Sequence, residues 1–181
     1  MATKHTLVAL VEDKPGVLNR LASLFRRRGF NIDSIAVGHC ETPGLSRVTL
    51  VVDGTTTVVE QVRKQLDKVI DIVKVSDLTE SSLVARELAL IKVNTTAATR
   101  SSIMQIVDIF RANIIDVGFD SLTVEVTGDE DKVDSLYNLL RSYGIKELAR
   151  TGRIAMVRGG SNPLPVEKEP QAPKPAAAQK P

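Results

Sequence analysis

The sequence predicts an α+β protein built from two tandem units, each an antiparallel four-stranded sheet with two helices on one face, and three observations predict it. Segments of alternating or continuous apolar residues interleave with segments whose apolar residues recur at i, i+3 and i+4, giving the order strand, helix, strand, strand, helix, strand. That order occurs twice along the 181 residues. The copies also echo each other: Thr49, Gly54 and Leu66 have counterparts Thr123, Gly128 and Leu140 at one constant spacing, and "LFRRRGFNID" is matched by the shorter "IFRANIID". Right-handed crossovers put both helices of a unit on the same face, so each unit reads as a ferredoxin-like βαββαβ fold.

The first strand is expected from His5 to Val11. The first helix carries Val17, Leu18, Leu21, Leu24 and Phe25 on one stripe and stops at Gly29, where a positive φ is often needed. "NIDSIAVGHC" and "LSRVTLVVDG" form a hairpin about Pro43-Gly44. A second helix starts at Thr55 to Thr57 and aligns Val58, Val62, Leu66 and Val69; "VIDIVKVSDL" closes the unit and "SDLTESSLVAR" is the short link. In the second unit "ELALIKVN" opens, and Ile103, Ile106, Val107 and Phe110 form the helical stripe. Two strands surround Asp120-Ser121, Val133, Leu136, Tyr137 and Leu140 form the next stripe, and "IKELARTGRIAMV" closes after Gly144. Several strands are apolar on both faces, as Leu88 and Leu90 are against Ala89, Ile91 and Val93. The helices of one unit cover only one face, so the other must be covered by the second unit or by another chain, and an oligomer is expected.

Composition narrows the function. A hydrophobic fraction of 43% and a charged fraction of 25% are those of a soluble globular protein, and a net charge of +2 argues for neither nucleic acid nor an anionic membrane. The only cysteine is Cys40, which excludes an intramolecular disulfide and a thiolate cluster. The N-terminal apolar run is too short for a signal peptide, and none approaches the roughly 18–20 residues that span a bilayer. The chain reads as cytoplasmic. From Ser161 onward six prolines and almost no large apolar side chains predict a disordered tail, which has no means of packing.

Catalytic chemistry is hard to find. His5 and His39 are the only histidines, and His39 and Cys40, being adjacent on a strand, point to opposite faces; exposed turn residues are the simpler reading of the histidines. "GDEDK" lacks the ligand spacing of a calcium loop, and Asp129 to Asp131 are better read as capping the helix that follows. Arg26, Arg27 and Arg28 complement the negative end of a helix dipole. RNA-binding domains of the same element order carry aromatic residues on the central strands, and "LVALVE" and "RVTLVVDG" have none. There is no phosphate loop or nucleophile elbow, so no catalytic residue and no metal ligand is assigned.

The remaining candidate is Lys14-Pro15-Gly16, where the first strand hands over to the first helix. Proline is tolerated in a first helical turn, and glycine leaves the backbone amides of Gly16, Val17 and Leu18 open to an anion such as a carboxylate. Asn31 offers an amide that both donates and accepts. Two readings stand at this point: an anion site, or plain punctuation of a βα turn with Asn31 following a helix stop.

"HTLVALVEDKPGVLNRLASLFRRRGFNIDSIAVG" with "TPGLSRVTLVVDG", and in the second half "ARELALIKV", "IFRANIIDV", "SLTVEVTG" and "GIKELARTGRIAMVRG", resemble the small regulatory subunit of acetohydroxyacid (acetolactate) synthase over residues 4–159. "KPGVL" alone would indicate only an ACT domain, the wider class of amino-acid-sensing modules. The resemblance implies an ACT domain at 4–79 that binds effector and forms a homodimer, a C-terminal ferredoxin-like domain at 86–159, and a tail at 160–181 outside the match. It implies feedback inhibition by valine or a related branched-chain amino acid, held at the dimer interface by Gly16, Val17 and Leu18 with Asn31 and Ile32 of the neighbouring chain. Asp13, where many relatives carry Asn, and Pro15 would have supporting roles. The implied partner is a large catalytic subunit carrying thiamine diphosphate, Mg and FAD, with no cofactor in this chain. A stand-alone ACT-type sensor acting on another partner is the alternative.

Overall fold

The computed structural model describes residues 3–160 and Leu164. The order is β1 (Thr3–Glu12), α1 (Val17–Arg28), β2 (Ile32–His39), β3 (Leu45–Gly54), α2 (Thr56–Leu66), β4 (Ile72–Asp77), β5 (Leu83–Asn94), α3 (Arg100–Ile109), β6 (Asn113–Val117), β7 (Ser121–Gly128), α4 (Glu130–Arg141), β8 (Ile145–Arg150) and β9 (Ile154–Val157). The sheets run β2-β3-β1-β4 and β6-β7-β5-β8, and every pairing is antiparallel. Four helices on two such sheets make the two tandem ferredoxin-like units that the periodicity predicts.

Alternation decides which face each strand buries. Leu7, Ala9, Val11, Val48, Leu50 and Val52 meet Val17, Leu21, Leu24 and Phe25 of α1 and Val59, Val62 and Leu66 of α2. In the second unit Ala89, Ile91, Val93, Leu122, Val124 and Val126 meet Ile103 and Val107 of α3 and Val133, Leu136 and Leu140 of α4. Each of the Val, Leu, Ile and Phe side chains contributes about 1.5–3 kcal/mol on burial. The helical stripes differ from expectation in detail: in α2 Val59 rather than Val58 is buried alongside Val62 and Leu66, and Leu18 is 49% exposed. Gly29 ends α1 at φ +67. The Asp129 side chain caps α4, accepting from the Lys132 amide at 3.0 Å.

Two boundaries depart from the sequence reading. Leu83–Arg86, expected in the link, belong to β5, and the closing segment is two strands rather than one. β9 leaves the β8 line and pairs with Leu83–Arg86, so β5 carries two partners in succession along one edge. The break lies at Thr151-Gly152-Arg153, where Gly152 adopts φ +81 and cannot continue a strand. One face of the β5–β9 ribbon lies against the helix-free face of the first sheet. There Leu83 and Val157 pack with Val8, Leu10, Leu78 and Cys40. The second unit therefore covers part of the face that the first unit's helices leave bare. Leu164, from the segment expected to find no packing, is 2% exposed in this same cluster. The rest of the expected tail, apart from Gly160, lies outside the described residues.

Polar contacts fix the two units around Gly152. The Arg153 amide donates to Ser34 Oγ at 2.9 Å and its guanidinium to Thr6 Oγ1 at 3.4 Å. Arg153 also pairs with Glu130, which pairs with Lys4, and Lys4 reaches Asp33 at 3.0 Å. Arg47 Nη2 donates to the Ala155 carbonyl at 2.8 Å. A Cβ on Gly152 would lie 2.7 Å from Ser34 Oγ and 3.0 Å from the Ile35 carbonyl oxygen. Gly152→Ala therefore combines left-handed strain with a backbone clash and is expected to cost about 2–3 kcal/mol in chemical denaturation. Gly159→Ala, at φ +80 with nothing within 4 Å, should cost only about 1–2 kcal/mol. Equal costs would show that the close approach of Gly152 to β2 is unimportant.

Candidate functional site

The candidate site is built where β1 ends and α1 begins. The Glu12 amide donates to the Asp71 carbonyl and the Asp13 amide to the Gly44 carbonyl, both at 2.9 Å, so the chain leaves the sheet tied to β4 on one side and to the β2–β3 turn on the other. Pro15 lies outside the helix rather than in its first turn. The reason is Gly16, which adopts φ +91 as the residue before the helix, a left-handed conformation that helical geometry excludes. Val17 is the first helical residue and its side chain is buried, so only its amide faces the turn.

A helix start leaves its first amides without intrahelical acceptors. In α1 the Arg20 amide donates to the carbonyl of the N-cap Gly16 at 3.0 Å, and no side chain caps the helix. The corresponding helix in the second unit, α3, also lacks a side-chain cap, but the turn before it is tied by side chains: the Thr96 amide donates to Thr99 Oγ1 at 2.9 Å and the Thr99 amide to Thr96 Oγ1 at 3.3 Å. Gly16 is exposed and a Cβ there would meet nothing within 4 Å. The α1 start can therefore accept a small anion, with the positive end of the helix dipole behind it.

Charged side chains surround the turn. Asp13 Oδ2 lies 3.3 Å from His39 Nδ1. Lys14 pairs with Glu12 and reaches Asp71 at 3.1 Å, and these two carboxylates, Glu12 first, hold its ammonium above the usual lysine range. Arg20 reaches the other Asp71 oxygen at 2.5 Å. Asp71, 1% exposed, was not singled out from the sequence, although it is a lone carboxylate inside the apolar run "VIDIVKV". That isolation was the available signal.

Asn31 and Ile32 are not part of this cluster within one chain. Ile32 pairs with Val52, which pairs with His5 near the start of β1, whereas Gly16 follows the end of β1. The two groups lie at opposite ends of the 12-residue α1, about 18 Å apart along its axis. Asp13, Pro15, Gly16, Val17 and Leu18 are brought together; Asn31 and Ile32 stand alone, Asn31 exposed and Ile32 half-buried.

The other candidates fall away from this site. His39 is exposed at the end of β2, while Cys40 lies just beyond the strand rather than on it, half-buried with its thiol directed to the carbonyls of Leu45 and Thr42 at 3.5 and 3.7 Å. His5 is not an exposed residue: β1 begins two residues before it, and it is 4% exposed. Arg26 to Arg28 occupy the last turn of α1, with Arg28 donating to Gln65 at 3.2 Å. Among the described residues no group of three His, Cys, Asp or Glu could hold a metal ion, and no helix is long and apolar enough to cross a membrane.

Comparison with known proteins agrees with this architecture. Residues 7–74 match the model of the AHAS small subunit-like ACT domain, and residues 86–159 match that of the small subunit of acetolactate synthase. A probable acetolactate synthase small subunit of Archaeoglobus fulgidus is 60% identical over 156 residues, spanning 86% of this chain and 98% of that protein. The acetolactate synthase small subunit of Bacillus subtilis is 51% identical over 158 residues, 86% of this chain and 91% of its own length. The crystal structure of the small subunit from Thermotoga maritima superposes with a TM-score of 0.81 at 45% identity, covering 88% of this chain and 99% of that one. With its fold, both family models and these full-length relatives in agreement, the chain belongs to the acetolactate synthase small-subunit family.

Proposed function

We propose that this chain is the non-catalytic regulatory subunit of a cytoplasmic acetolactate synthase. It activates a large catalytic subunit, which carries thiamine diphosphate, Mg and FAD, and it confers feedback inhibition by valine. The observation that carries the effector role is the open start of α1, where Gly16 at φ +91 leaves uncapped amides at the protein surface. An amino acid's carboxylate suits those amides and the helix dipole. Leu18, 49% exposed beside them, suits a branched aliphatic side chain.

One chain cannot supply Asn31 to the same ligand, and this supports a homodimer. β2 is an edge strand, with Ile35 and Val37 exposed by 41% and 45%. An exposed apolar edge is a template for pairing with another strand. Antiparallel pairing of two β2 strands about a two-fold axis near their middle would carry the partner subunit's Asn31 toward His39 and Asp13, next to Gly16. The valine would then lie between the subunits, its carboxylate on Gly16 to Leu18 and its ammonium toward Asn31 and the backbone near Ile32, with Asp13 and Pro15 shaping the turn.

Reconstitution tests the whole reading. The chain alone should form no acetolactate; added to its cognate large subunit it should raise the rate and make it sensitive to valine. A chain that binds valine but leaves every acetolactate synthase large subunit unaffected would instead be a sensor for another partner. Gly16→Asp places a carboxylate at the site of the ligand's own. Asp is among the residues best tolerated at a left-handed position, so the fold should lose only about 1–2 kcal/mol. Activation should survive and most valine inhibition should disappear; unchanged inhibition would put the effector elsewhere. Ile35→Lys with Val37→Lys should shift the dimer toward monomer in analytical ultracentrifugation and weaken valine inhibition. A dimer undisturbed by both lysines would exclude the β2 edge.

A further inference from the structure

We propose that Asp71 is a positioning residue for the effector site, a buried carboxylate just before β4 that grips the Pro15-Gly16 turn on both sides through Lys14 and Arg20. Asp71 is assigned this role on the effector reading above and deepens it. Its side chain is 1% exposed, whereas those of Lys14 and Arg20 are 51% and 55% exposed. Two surface cations therefore bend inward onto a single buried anion. Lys14 immediately precedes the turn and reaches Oδ1 at 3.1 Å; Arg20, in the first turn of α1, reaches Oδ2 at 2.5 Å. The Asp71 backbone takes part as well, its carbonyl accepting from the Glu12 amide at 2.9 Å.

The turn needs such a frame. Pro15 and Gly16 are exposed, and nothing approaches the position of a Gly16 Cβ within 4 Å. Glycine in the left-handed region has the widest conformational freedom of any residue, so packing at Gly16 itself does not set the direction of the amides that follow. Direction must come from the residues on either side: the Asp13 amide on Gly44, the buried Val17, and the two cations on Asp71. A buried carboxylate without its cations is costly, which makes the arrangement stiff. The charged groups facing Asp71 are Lys14, Arg20 and, through Lys14, Glu12. Charges of both signs offset one another there, so the cluster frames the anion site without competing for the ligand.

The test uses the holoenzyme reconstituted with the cognate large subunit and compares activation with the valine concentration giving half inhibition. Asp71→Asn keeps the shape and removes the charge; activation should stay within about twofold and the half-inhibition concentration should rise about tenfold. Arg20→Gln changes a surface group that leaves the core intact, and it decides the matter should Asp71→Asn fail to fold. It should raise the half-inhibition concentration about threefold, with Arg20→Lys returning toward the unmodified value. Loss of activation and inhibition in parallel, or unchanged half inhibition in both variants, would overturn the positioning role. Gly16→Asp separates the levels: if it abolishes inhibition while Asp71→Asn and Arg20→Gln do not, the effector site stands and the role of Asp71 falls. If the unmodified holoenzyme ignores valine, leucine and isoleucine, the effector reading fails and this role with it.

Discussion

A small antiparallel sheet with both helices on one face has a second face to dispose of, and the rest of this structure follows from how that is done. In the first unit β1 is apolar on both sides, with Leu7, Ala9 and Val11 under the helices and Val8 and Leu10 on the reverse. Water cannot be left against the reverse side without forfeiting about 25 cal/mol for each Å² of apolar surface. The chain meets the requirement by prolonging β5 backwards to Leu83 and pairing it with β9, which lays a two-stranded ribbon under Val8 and Leu10. What connects the units is thus itself a piece of sheet, and the position of each unit is tied to the other.

Duplication of the unit has not preserved its chemistry. Both copies keep the strand order, the helical stripes and a register shift near the start of the outer strand, between Ile32 and Ser34 in one and between Ile114 and Asp116 in the other. They differ at the helix that follows the first strand. In the second unit the N-cap Thr99 likewise caps no helical amide, but Thr96 and Thr99 satisfy each other's amides in the turn before α3. In the first, glycine in the left-handed region holds the corresponding place and contributes no capping group. Capping stabilises a helix by about 1 kcal/mol, so an uncapped start is a stability forgone at that position. The proposed ligand would restore it.

Local rules made most of the fold legible. The i, i+3, i+4 stripes located all four helices, and Pro43-Gly44 located the first hairpin. The misreadings have a common physical source. Whether Leu83 to Arg86 form a link or a strand depends on a partner, Ile154 to Val157, more than sixty residues away, and nothing in "SSLVAR" announces it. Gly152 could be read as an ordinary glycine in a closing strand because its tight neighbours, Ser34 and Ile35, belong to the other unit. At the candidate site Lys14-Pro15-Gly16 stood out because proline and glycine carry their conformational meaning in themselves. Asp71 did not, since a carboxylate becomes informative only once its burial and its cations are known.

The separation of Gly16 from Asn31 along α1 has a thermodynamic consequence. On the proposed reading a ligand that needs both contacts binds the pair of subunits and not the single chain, so association and effector binding draw on one free energy. By linkage, each bound amino acid tightens the dimer by the same factor with which dimerisation tightens the amino acid. Sensitivity to end product would then be a property of concentration as well as of sequence: a dilute regulatory subunit is a deaf one, and it regains its response as it accumulates.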